Sequence, residues 1–113
     1  MADVDEARWA RDAVAGDRDA FGTLVERYAV AARRVALAVL RDPDEADDAV
    51  QDGVLAAWRA IDRFDAARPF RPWLMRIVAN AAMDARRRRT VRQTEEIPAS
   101  TASRGTTPDR ATD

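Results

Sequence analysis

Apolar residues in this chain recur at three and four positions, and no segment reads as a strand. Alanine, leucine and arginine, all good helix formers, fill the same stretches. That periodicity leaves an all-α bundle as the architecture. A chain of 113 residues suits one small domain with local contacts, because so short a chain has limited core area.

Punctuation divides the pattern into about four helices. A first helix starts after Asp3 and ends before Gly16, which can serve as its C-terminal cap. Asp17 then caps a long second helix, "RDAFGTLVERYAVAARRVALAVL", with Phe21, Leu24, Val25, Tyr28, Ala32, Val35, Val39 and Leu40 turned inward. Its length predicts a bend or break near Tyr28–Val30. The third opens at Asp42, with Pro43 at the first helical position and Glu45 three residues after the cap, as in a capping box. It ends near Ile61. "DRFDAARPF" is a loop, and Pro69 and Pro72 open a fourth helix that runs to Arg89–Gln93. The helical domain is expected over residues 1–95. Residues 96–113, rich in Ser, Thr, Pro and Ala, lack the large apolar residues needed for order and read as a disordered C-terminal tail or linker.

Composition removes several classes of chemistry. The chain has no Cys and no His, which takes away disulfides, thiolate sites, the commonest general base and the commonest transition-metal ligand. No apolar run approaches the roughly 20 residues of a membrane span. The acidic start "MADVDEARWARD" is unlike a signal peptide, so a cytoplasmic protein is expected.

The net charge of −1 hides a strong asymmetry. Residues 41–65 hold eight acids against three arginines, a net −5, whereas residues 66–92 hold eight arginines against Asp84 alone, a net +7. Separated charge of opposite sign points to two partners. On a wheel of about 100° per residue, Leu74, Ile77, Val78, Ala81 and Ala85 of the fourth helix form the core side. Arg76, Asn80, Met83 and Arg87 lie opposite, with Trp73 and Asp84 at the margin. Arginines bind phosphates, Asn pairs with a base edge, and an aromatic ring stacks on an unpaired base. Phe64 and Phe70 just upstream add stacking groups. The plainer alternative is a solvated helix face ending in a basic run.

The third helix divides likewise. Ala46, Ala49, Val50, Gly53 and Ala57 face inward, while Asp44, Asp48, Gln51 and Leu55 face outward, flanked by Asp47 and Asp52. Gly53 lowers helix propensity by about 1 kcal/mol, and close approach of another helix is one compensation. The acids alone could simply solubilise. A carboxylate metal site in "DEADD" is disfavoured, because no second helix offers clustered carboxylates. Trp9, Phe21, Tyr28 and Trp58 read as packing residues.

Three blocks, "DAFGTLVERY", "DPDEADDAVQDGVLAAWRAIDRF" and "RPFRPWLMRIVANAAMDARRRR", resemble in order and spacing the region 2 domain of bacterial extracytoplasmic-function (ECF) RNA polymerase sigma factors. The resemblance spans about Asp17 to Arg89. It implies a compact helical bundle that docks on the clamp helices of the polymerase β′ subunit. It also implies recognition, and help in melting, of the promoter −10 element on the non-template strand. Asp44, Asp47, Asp48, Gln51 and Asp52, with Leu55 beside them, inherit the polymerase-binding role. Arg63, Phe64, Asp65 and Phe70 become candidates for the pocket that captures a flipped base. Arg76, Asn80, Met83, Asp84, Arg87 and Arg88 are candidates for reading upstream bases and holding phosphates, with Trp73 stacking at the fork. The arginine run then holds the DNA backbone, on a surface opposed to the acids.

A transcription initiation factor is therefore expected, not an enzyme, with no cofactor and no metal. An anti-sigma factor is an expected partner, covering the same two faces. The family's second, −35-binding domain (region 4) is absent from this chain, so a fragment is favoured over a naturally short member. The competing reading is a helical protein-interaction module whose arginines merely solvate.

Overall fold

The computed structural model describes residues 4–96, which form five α-helices and one short 3₁₀ turn. They are α1 (Val4–Val14), α2 (Arg18–Arg27), α3 (Ala29–Leu40), α4 (Pro43–Ala60), the 3₁₀ turn (Ile61–Arg63) and α5 (Phe70–Glu96). Apart from Glu96, the last residue of α5, the expected tail lies outside the described residues.

Local chemistry sets the boundaries. Gly16 takes φ 109°, the left-handed conformation that glycine adopts without steric cost. Its N–H donates to the Ala13 carbonyl (2.9 Å) and the Asp17 N–H donates to the Asp12 carbonyl (3.0 Å), which closes the end of α1 as a Schellman motif. The Asp17 carboxylate then accepts from the Asp19 and Ala20 N–H groups at 2.9 and 3.2 Å and starts α2. The expected long second helix is broken at Tyr28, whose φ −111° and ψ 14° leave the helical region, so two helices stand where one pattern ran. Arg41 stops α3 in the left-handed region at φ 60°. Asp42 starts α4 by accepting from the Glu45 N–H at 3.0 Å, with Pro43 at the first position. The Glu45 carboxylate makes a tertiary contact with Arg89, 2.8 Å away.

α5 is the axis of the bundle, packed against both α3 and α4, with α1 and α2 paired alongside. Its buried stripe is Phe70, Leu74, Val78 and Ala82, in steps of four. The wheel had placed Ile77, Ala81 and Ala85 in the core. They are half-buried along the groove between α4 and α5, because α5 is wedged between α3 and α4 and only the stripe between those two contacts is fully covered. Ala36, unremarked in the sequence, is fully buried between Ala32 and Leu40. On α4 the small residues Ala46, Ala49, Gly53 and Ala57 are all buried. A Cβ on Gly53 would lie 3.0 Å from both Cα and Cγ2 of Val78, so the glycine marks the close crossing of α4 and α5. Fully buried Leu24, Leu40, Phe70, Leu74 and Val78 fill the centre, and among the described residues none that is polar or charged is buried. No helix among them is long and apolar enough to cross a membrane.

Candidate nucleic-acid interface

An aromatic cluster holds the start of α5. The Phe70 ring meets Phe64 edge-on at 5.7 Å, Trp73 at 5.6 Å, Phe21 at 6.3 Å and Tyr28 at 6.3 Å, and Phe21 in turn packs on Trp58 at 5.1 Å. Trp9 packs on the same core, with the Arg27 guanidinium 5.7 Å from its ring. Phe70 has no exposed surface. It is therefore not available to contact a base, contrary to the expectation from the sequence, but forms the floor beneath Phe64 and Trp73. The physical reason is its place as the first residue of α5, directed into the bundle by the same four-residue stripe as Leu74.

Above that floor the loop and helix form an open cleft of about 310 Å³. Arg63, Phe64, Asp65, Trp73 and Arg76, all expected site residues, line it together with Arg68, Pro69 and Pro72. Phe64 is itself buried, and its ring packs 4.8 Å from that of half-buried Trp73. Asp65 shapes the loop. Its carboxylate accepts from the Ala67 N–H at 2.9 Å and lies 3.6 Å from the Arg68 Nε, while its carbonyl accepts from the Arg68 N–H at 2.9 Å. Two packed aromatic side chains and three arginines around one opening suit a flat, unpaired base attached to phosphates.

Farther along α5, Asn80 and Arg87 are exposed and Met83 and Asp84 are half-buried. Asn80 and Asp84 line a groove of about 300 Å³ between α4 and α5, with Ala56, Ile77, Asp52 and Arg88. The Asp84 carboxylate accepts from Arg87, one turn on, so it offsets an arginine of its own helix.

On α4, Asp44, Asp47, Asp48, Gln51, Asp52 and Leu55 are all exposed, which keeps the expected docking set on the surface. Leu55 is 53% exposed, an apolar side chain amid acids. Asp47 is already held by the Arg33 Nε of α3 at 2.8 Å.

The expectation of opposed surfaces needs correction. Arg88 lies 3.9 Å from Asp52, so the basic and acidic sets meet along the α4–α5 seam. Arg89 donates to Glu45 at 2.8 Å and to the Leu40 carbonyl at 3.2 Å, capping α3. The arginine run is thus divided: Arg89 braces the bundle, Arg88 and Arg87 are in exposed ion pairs, and Arg86 is exposed. Antiparallel packing of α5 on α4 brings the arginine end of one beside the acidic first half of the other. Sequence reasoning missed Arg68 and Arg92. Arg68 had a readable signal, three residues after Asp65 and next to Pro69. Arg92 lines a cleft of about 340 Å³ with Asp48, Gln51, Asp52 and Arg88, and nothing in its local sequence indicates that.

Comparison with known proteins agrees with this geometry. Residues 24–92 match the family model described as Sigma-70 region 2. The chain is 48% identical over 89 residues to the RNA polymerase sigma factor NccH of Alcaligenes xylosoxydans, covering 79% of this chain and 47% of that protein. It spans about half the length of the curated relatives it matches. Among solved structures, CnrH in complex with the cytosolic domain of CnrY is similar at TM-score 0.67 and 36% identity, covering 87% of this chain and 70% of that one. An engineered region 2 of sigmaE in complex with GTAAAA is similar at TM-score 0.72 and 31% identity, covering 77% of this chain and 90% of that one.

Proposed function

This chain belongs to the sigma-70 region 2 family, with relatives among the ECF RNA polymerase sigma factors, and from that premise we propose that it joins core polymerase to the −10 element of a promoter during transcription initiation. The cleft at the start of α5 carries the proposal, because it gathers Phe64, Trp73, Arg63 and Arg76 around one opening in a fold similar to a region 2 in complex with GTAAAA.

The acidic face of α4 docks on the β′ clamp helices. Asp44, Asp48 and Gln51 supply charge and hydrogen bonding, and Leu55 supplies an apolar contact within them. Along α5, Asn80 reads a base edge and Arg87 and Arg88 hold phosphates. Melting needs no catalytic group. Extruding a base costs a few kcal/mol, and a cleft that binds only the unstacked base shifts the duplex equilibrium by its own differential affinity. The domain acts in the cytoplasm as a regulatory factor and not as an enzyme. An anti-sigma partner fits the same reading, since the CnrH structure holds the cytosolic domain of a second protein. Such a partner would cover the seam where the acids and arginines adjoin.

Titration of a labelled GTAAAA single strand over a range of salt concentrations tests the DNA reading. The expected log–log slope is about −0.7 per phosphate neutralised, and Trp73→Ala should weaken binding by about tenfold through loss of a stacked base. A folded domain with no salt-dependent affinity for the strand would instead favour a protein-interaction module.

A further inference from the structure

The walls of the cleft are held by a residue that does not line it. Glu6 lies on α1, ahead of the segment that matches the family model. Its side chain is 15% exposed. One carboxylate oxygen accepts from the Tyr28 hydroxyl and lies 3.6 Å from the Arg27 guanidinium. The other accepts from the Phe70 N–H, 64 residues away, at 3.4 Å.

That N–H belongs to the first residue of α5. The first N–H groups of a helix have no intrahelical acceptor, and the helix dipole favours a negative charge beside them. Pro69 and Pro72 supply no N–H of their own, so Glu6 engages one of the few donors at this end. Phe70 in turn sits between Phe64 and Trp73, with ring centroids 5.7 and 5.6 Å away, and those two rings line the cleft. α1 also packs against the 3₁₀ turn Ile61–Arg63 that leads into Phe64. The loop's own hydrogen bonds, from Asp65 to Ala67 and Arg68, are local, and it is the packing of Phe64 on Phe70 and Trp73 that joins it to the start of α5.

We infer that Glu6 is a positioning residue for base capture. By pinning the start of α5 to the break at Tyr28, it sets how the packed Phe64–Trp73 pair, with ring centroids 4.8 Å apart, is presented to the cleft, and so which base that surface accepts. Stacking and pocket shape depend on placement within about 0.5 Å. Loss of Glu6 therefore loosens selection at one base before it removes binding. This inference rests on the reading of the cleft as the base-capturing site.

The test uses labelled GTAAAA and six strands in which each base is exchanged in turn. They are titrated with the wild type, Glu6→Ala, Glu6→Gln and Tyr28→Phe, below the melting transition of each as followed by circular dichroism. The wild type is expected to discriminate most strongly at one position. Glu6→Ala should reduce that ratio by about fivefold, a part of the roughly 5- to 150-fold carried by a stacked base, and leave the other ratios nearly unchanged. Glu6→Gln keeps a carbonyl acceptor and should restore much of the preference. Uniform weakening of all strands, or an unchanged ratio in folded Glu6→Ala, would overturn the inference. Should Glu6→Ala not fold, Glu6→Gln and Tyr28→Phe decide: reduced preference in Tyr28→Phe supports it, and full preference in both overturns it. Absence of binding by the wild type to every strand would overturn the cleft reading and the inference with it, whereas wild-type discrimination that Glu6 variants leave intact would overturn the inference alone.

Discussion

The two halves of α5 are held in place by different physics. From Phe70 to Ala82 the helix is fixed by buried apolar side chains, an aromatic cluster and the close crossing at Gly53. From Met83 onward it is held by ion pairs, most of them exposed: Asp84 with Arg87, Asp52 with Arg88, and Glu45 with Arg89. Burial fixes geometry, so the half that shapes the cleft is rigid. Exposed ion pairs are each worth about 0–1 kcal/mol, so the arginine half can exchange a carboxylate for a phosphate at small cost. One helix thus has an end fixed by burial, which lines the cleft, and an end held by charge.

The sharpest way to break this contrast is truncation in the first half. Phe70→Ala should destabilise the domain by about 3–5 kcal/mol, measured by urea unfolding, and remove strand binding even where the fold survives. Val91→Ala, at a residue 55% exposed in the second half, should change stability by less than about 0.5 kcal/mol. Similar losses at the two positions would abolish the distinction.

Arg89→Ala probes the boundary between the halves. It removes the pair with Glu45 and the cap on the Leu40 carbonyl, with an expected loss of about 1 kcal/mol in the same unfolding assay. Strand affinity should fall far less than in Phe70→Ala. A larger effect on DNA than on stability would return Arg89 to the phosphate-binding set.

The smallest effects on stability fall on the exposed stripe, where specificity and charge should separate. Arg87→Ala should weaken all strands alike and make the salt slope shallower by about 0.7. Asn80→Ala should change base preference at one position with stability unaltered. Equal losses across all base exchanges for Asn80→Ala would remove it from the reading residues.

What was legible in the sequence follows the same division. Caps and glycines act locally, so Asp17, Asp42, Pro43 and Gly16 were readable as boundaries, and the break near Tyr28 was anticipated from length. The small-residue stripe of α4 was legible because its period is regular, and Gly53 proved to be the helix crossing. Phe70 was misread because an aromatic in a loop looks available for stacking, and only the wedging of α5 between two helices shows that it points inward. The pairing of Arg88 with Asp52 and of Arg89 with Glu45 depends on how α4 and α5 lie side by side. A charge count along the chain shows separation in sequence and says nothing of adjacency in space. Glu6 was invisible for the same reason, since its partners are 22 and 64 residues away.

The most direct measurement is binding of the chain and its Asp48→Arg variant to purified bacterial core RNA polymerase, with GTAAAA binding followed for both. If α4 docks on polymerase while α5 reads DNA, the variant should lose at least about tenfold in polymerase affinity, as like charges across an interface cost several kcal/mol. Its melting profile should match the wild type, and its strand affinity should not fall. Unchanged polymerase affinity in the folded variant would contradict the docking face, and with it the division of labour between the two helices.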